Sequence, residues 1–88
     1  MEEKKVLSGF AIVVADRGFV FVGDANISDD WCVITGCKNI RRWGTTCGLG
    51  ELAEKGPREK TVLDECGVVR IPMDSVACMI DSDGSKWQ

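Results

Sequence analysis

Apolar side chains come in short, dense runs along this chain, separated by turn residues. Residues 10–15 (FAIVVA) and 19–22 (FVFV) are rich in β-branched and aromatic types, and Asp16-Arg17-Gly18 stands between them. The pattern predicts a β-hairpin with that triplet as its turn. Both runs are apolar almost without alternation, so the strands are either covered on both faces or used as an oligomer surface. Residues 26–30 (NISDD) read as a second turn, 31–35 (WCVIT) as a third strand, and 36–39 (GCKN) as a further turn before Ile40.

The period then changes. Leu49, Leu52 and Ala53 recur at helical spacing, Gly48 is placed to be the N-cap with Glu51 at the third helical position, and Gly56-Pro57 is a stop signal. Residues 60–65 (KTVLDE) and 67–72 (GVVRIP) predict two extended pieces, and 75–81 (SVACMID) a last strand. The expected fold is α+β: about five strands in a small antiparallel or mixed sheet with one short helix, in the order β-β-β-α-β-β. Residues 9–81 form one domain in this reading, with a flexible leader over 1–8 and a polar tail over 82–88.

At 88 residues the chain is near the lower end of what one core holds together, which favours a homo-oligomer, a dimer or tetramer. The longest apolar run is too short to span a bilayer, and the first residues lack the pattern of a secretory signal. A cytoplasmic location is expected. The five cysteines, Cys32, Cys37, Cys47, Cys66 and Cys78, are odd in number and irregularly spaced, and read as reduced thiols serving mostly as small core residues. Histidine is absent, which removes the commonest general base and metal ligand, and no C-x-x-C pair occurs. Neither a metal nor a cofactor is expected, and an enzyme is the least favoured class.

Charge is unevenly placed. The net charge is −3, but residues 1–37 carry six acids and three bases, 38–60 three acids and six bases, and 61–88 five acids and two bases. The middle segment alone is basic and would attract an anion. It contains Arg41, Arg42, Trp43, Thr45, Thr46, Gly48 and Gly50. Arginines form forked bonds to phosphate, threonine hydroxyls and amides at a helix start donate to it, glycines admit close approach, and tryptophan stacks on a base. These seven residues are the candidate ligand site. Gly48, Gly50 and Ala53 fit G-x-G-x-x-A, but one short helix in 88 residues cannot build a dinucleotide-binding fold. Residue chemistry alone favours a structural role, with one arginine solvated, one salt-bridged to the acidic flanks, and Trp43 in a core or interface.

The run Ile40-Arg41-Arg42-Trp43-Gly44, followed by Leu49, Glu51-Leu52-Ala53 and Gly56, resembles a family of small phage-encoded proteins of unknown function. Its members read approximately Arg-Ile-Trp-x-Trp-x-Gly-Ala-x-Ser-Leu-x-Glu-Leu-Ala-x-x-Gly after two or three strands. The resemblance covers residues 18–80; Arg42 stands at an often aromatic position, and Cys47-Gly48 replaces a small polar pair. It implies phage origin and a β-rich fold with one helix. In kind, a compact basic Gly/Thr/Trp pocket without catalytic groups is similar to the phage anti-defence sponges that sequester nucleotide immune signals. The expected function is therefore binding of a cyclic oligonucleotide or ADP-ribose-type signal in the host cytoplasm, without cleavage. The alternative is an interaction module docking a host or virion protein through the apolar hairpin, with Trp31 and Trp43 as anchors.

Overall fold

The computed structural model describes residues 8–45 and 48–87. Five strands, β1 (Ser8–Ala15), β2 (Val20–Ser28), β3 (Trp31–Arg42), β4 (Val62–Pro72) and β5 (Val76–Asp81), form one antiparallel sheet in the order β4-β3-β2-β1-β5. A single helix, α1 (Leu49–Lys55), separates β3 from β4 in the chain. The architecture is the expected α+β arrangement, β-β-β-α-β-β.

Local chemistry accounts for most boundaries. The β1–β2 hairpin turns through Asp16–Gly18, with Arg17 in the left-handed region (φ 65°) and the Phe19 carbonyl accepting from the Ala15 N–H at 2.8 Å. Helix α1 starts after Gly48 and stops at Gly56, whose N–H donates to the Leu52 carbonyl at 2.7 Å.

Three expectations are corrected. Residues 36–39 are not a turn: β3 runs through them, and the turn-forming Gly36 (φ 58°) is absorbed where its pairing with both neighbouring strands slips register. The two extended pieces 60–65 and 67–72 are one strand of eleven residues, β4, kept continuous by Gly67 at φ 77°. The polar tail is packed: Gly84–Trp87 forms a 3-10 turn and Trp87 is buried. Trp87 lies 6.2 Å from the Phe10 ring and donates its indole N–H to Ser82 Oγ at 2.9 Å, while Ser82 Oγ–H donates to the Ala53 carbonyl at 2.6 Å. The expected leader, apart from Ser8 in β1, lies outside the described residues, as does Gln88.

Most hairpin residues are covered on both faces, with Phe19 beside the turn left exposed. Ala11, Val13 and Ala15 point into one core with Ala25, Cys32, Ile34, Cys37 and Ile71. Ile12 points into the other with Val20, Val22, Ile40, Leu52, Ala53 and Trp87. Helix α1 and the C-terminal turn cover the second face. The first is covered by curvature. A flat five-stranded sheet would hold its edge strands roughly 19 Å apart at 4.8 Å per spacing. Yet Pro72 of β4 connects to Val76 of β5 through the three-residue turn Met73–Ser75, a reach of about 14 Å even if fully extended. The sheet must therefore curl, and Val69 and Met73 share a core with Val76 and Met79.

Candidate functional site

The expected site residues sit where β3 leaves the sheet. Pairing slips between Ile40, opposite Leu63, and Arg42, opposite Val62, so Arg41 is an extra residue on a bulge. A bulge re-aims its side chain, and the Arg41 guanidinium meets Asp64 of β4 in a fork: Nε to Oδ2 at 3.0 Å and Nη2 to Oδ1 at 3.2 Å. The hydrogen bonds first, and then the carboxylate charge, raise the Arg41 pKa above its ordinary value. Of the two arginines, this is the salt-bridged one. Arg42 is exposed and has no ion-pair partner among the described residues.

Trp43 follows, 43% exposed, on a backbone fixed from both sides. Its carbonyl accepts from the Thr61 hydroxyl at 2.7 Å, and Thr61 Oγ1 in turn accepts from the Arg58 N–H at 2.8 Å. Gly44 (φ 65°) lies so tightly against Lys60 and Thr61 that a Cβ would collide with their backbone. Two chain segments thus meet at Trp43, and the second contributes exposed Arg58 and Lys60. Neither base is among the seven candidate residues read from the sequence. Their inclusion in the basic segment was the available signal.

The threonine and glycine parts differ from expectation. Thr45 Oγ1 donates to the Gly48 carbonyl at 3.0 Å and accepts from the Gly48 N–H at 3.1 Å, so the hydroxyl and one amide expected to face a ligand close on each other. Thr46 lies outside the described residues. Helix α1 has seven residues, and its first turn already carries the Glu51 carboxylate, 3.5 Å from Arg58 Nε. An anion at this helix start meets a negative charge, which opposes the expected phosphate cradle. Gly48 and Gly50 do face open space, since a Cβ at either would touch nothing. The structure brings the backbone of Trp43–Gly44 against that of Lys60–Thr61, pairs Arg58 with Glu51, and commits Arg41 and Thr45 to internal bonds.

A separate apolar surface lies near the hairpin turn. Phe19, 54% exposed, stacks on Phe21 with ring centroids 6.0 Å apart, and both line a groove of about 230 Å³ with Arg17, Arg70, Ile71 and Pro72. Trp31, 47% exposed, flanks the same Pro72 and Arg70. Among the described residues no cluster of acidic or cysteine side chains is arranged to hold a metal ion, and no helix is long and apolar enough to cross a membrane.

Comparison with known proteins yields no match to a family model, a curated protein or a solved structure. The functional reading therefore stands on the geometry.

Proposed function

We propose that this chain binds a small phosphorylated nucleotide at Trp43 and holds it without cleaving it. One observation carries the reading: a large aromatic side chain stands exposed on a backbone pinned by Thr61 and Gly44, within the basic segment of an otherwise acidic chain. Leaving an indole in water forgoes hydrophobic stabilisation, and a pre-fixed backbone leaves little ordering cost for binding. Trp43 stacks on the base; Arg42 and Lys60 face the phosphates, while Arg58 stays paired with Glu51. In this reading the protein is a phage anti-defence sponge for a cyclic oligonucleotide or ADP-ribose-type signal in the host cytoplasm. It works as a dimer or tetramer, a second copy covering the face of the base that Trp43 leaves open.

The test is a thermal-shift and calorimetric titration against cyclic dinucleotides, cyclic trinucleotides and ADP-ribose. A ligand at a hundredfold excess over its Kd adds about 2.7 kcal/mol of stability. Trp43→Ala and Arg42→Ala are expected to abolish the shift while keeping the unliganded Tm, and the nucleotide is recovered intact. A shift that survives Trp43→Ala sinks the assignment of the site. The Phe19, Phe21 and Pro72 groove favours the second reading, a docking module for a host or virion protein; it takes over if no nucleotide moves the Tm.

A further inference from the structure

Strands β3 and β4 carry a second chemical feature, independent of Trp43. Pairing runs Cys37 opposite Gly67 and then Lys38 opposite Glu65, so Cys66 is an extra residue beside the Cys37 step. Cys37 is fully buried and Cys66 is exposed. Directly paired residues of antiparallel strands have Cα atoms about 4.5–5.5 Å apart, inside the span a disulfide bridges. Cys66 adjoins the direct partner of Cys37, on a bulge that draws two β4 residues toward one step of β3. Each thiol is held by a nearby carbonyl: Cys37 Sγ lies 3.8 Å from the Lys38 oxygen and Cys66 Sγ 3.6 Å from the Asp64 oxygen.

We propose that Cys66 and Cys37 form a reversible disulfide across the β3–β4 bulge, with exposed Cys66 as the point of entry. The oxidant is a small disulfide such as oxidised glutathione. The Cys66 thiolate attacks one glutathione sulfur and expels the other as a thiolate, leaving a mixed disulfide on Cys66. The Cys37 thiolate then attacks the Cys66 sulfur and releases the second glutathione. Two protein thiols are oxidised, one glutathione disulfide is reduced to two thiols, and the protons from Cys66 and Cys37 end on them. In the reduced chain burial first, and then the neighbouring Cys66 thiol, push the Cys37 pKa up to about 12; the burial remains once Cys66 is in the mixed disulfide, and it slows the second step. The closed loop, residues 37–66, contains Trp43 and all of α1.

Incubation of the reduced wild-type chain with oxidised glutathione, followed by intact-mass measurement and non-reducing peptide mapping, tests this. The expected product has lost two hydrogens, links the Cys37 and Cys66 peptides within one chain, melts higher than the reduced form and reverts with dithiothreitol. Cys66→Ser stops the reaction, whereas Cys37→Ser halts it at the glutathione adduct on Cys66. Because Cys37 is buried and its substitution weakens the core, the wild-type map decides alone. A stable adduct on Cys66 in the wild type, a bridge to Cys47 or Cys78, or a disulfide between two chains overturns the proposal.

Discussion

Gly36 and Gly44 have nearly the same left-handed backbone, φ 58° and 65°, and differ in what surrounds them. A Cβ at Gly36 meets nothing, while at Gly44 it collides with the backbone of Lys60 and Thr61. Both alanine variants pay the conformational penalty, about 1 kcal/mol, and Gly44→Ala adds a steric cost of about 1–3 kcal/mol. Chemical denaturation is expected to rank Gly44→Ala clearly below Gly36→Ala, and Gly44→Ala also frees the Trp43 loop, weakening nucleotide binding. Equal losses at the two positions remove the claim that Gly44 pins Trp43. At this scale the sequence showed that the basic residues gather around Trp43 along the chain. It did not show that Arg41 forks to Asp64 or that Thr45 closes on Gly48. The Asp64 partner depends on register: a bulge at Arg41 sets which β4 residue lies within reach, and no local pattern encodes that slip, whereas the Thr45 contact is a local turn closed three residues on.

The C-terminal turn shows how an element escapes a reading based on polarity. Asp81, Asp83 and Lys86 make the segment look solvated, and one tryptophan in seven residues carries no period. Yet Trp87 fills the core beneath α1, and Lys86 Nζ donates to the Glu54 carbonyl at 2.9 Å. The turn is held by Asp83, whose Oδ1 accepts from the Ser85 N–H at 3.0 Å and from the Ser85 hydroxyl at 2.8 Å. Those bonds, the backbone one first, lower the Asp83 pKa below its ordinary 3.8. A depressed carboxylate contributes stability that is present above the unfolded pKa and is lost as the pH falls through the folded one. Acid titration of a Trp31→Phe, Trp43→Phe background, in which Trp87 alone emits, is therefore expected to show Trp87 becoming exposed below about pH 3.8, an onset set by the carboxylate reference value. Adding Asp83→Asn makes the acid limb shallower; identical acid limbs with and without it mean that the cap does not hold the turn. Strands, by contrast, were legible wherever apolar runs were dense. Their continuity was not, because Gly36 and Gly67 signal turns equally well whether the chain reverses or bulges.

Across the whole molecule the sheet separates two cores that share no buried residue. Near-continuous apolar strands made cover on both faces one of two readings, but not that curvature supplies one cover and the helix with the C-terminal turn the other. The distinction has a measurable consequence. Ile34, fully buried in the curled face, and Leu52, fully buried beneath the helix, sit on opposite sides of the backbone layer. Ile34→Val is expected to cost about 0.5–1.5 kcal/mol and Leu52→Ala about 2–5 kcal/mol. If the two cores are energetically separate, the double variant loses the sum within about 0.5 kcal/mol, as for sites without shared neighbours. Urea denaturation of the four proteins in the cycle measures this, with an unchanged m value as the check that each still unfolds as one unit. A coupling well above that limit would mean that strain passes through the sheet from the curled face to α1. The loop bearing Trp43, which joins β3 to that helix, would then respond to packing on the far side of the molecule.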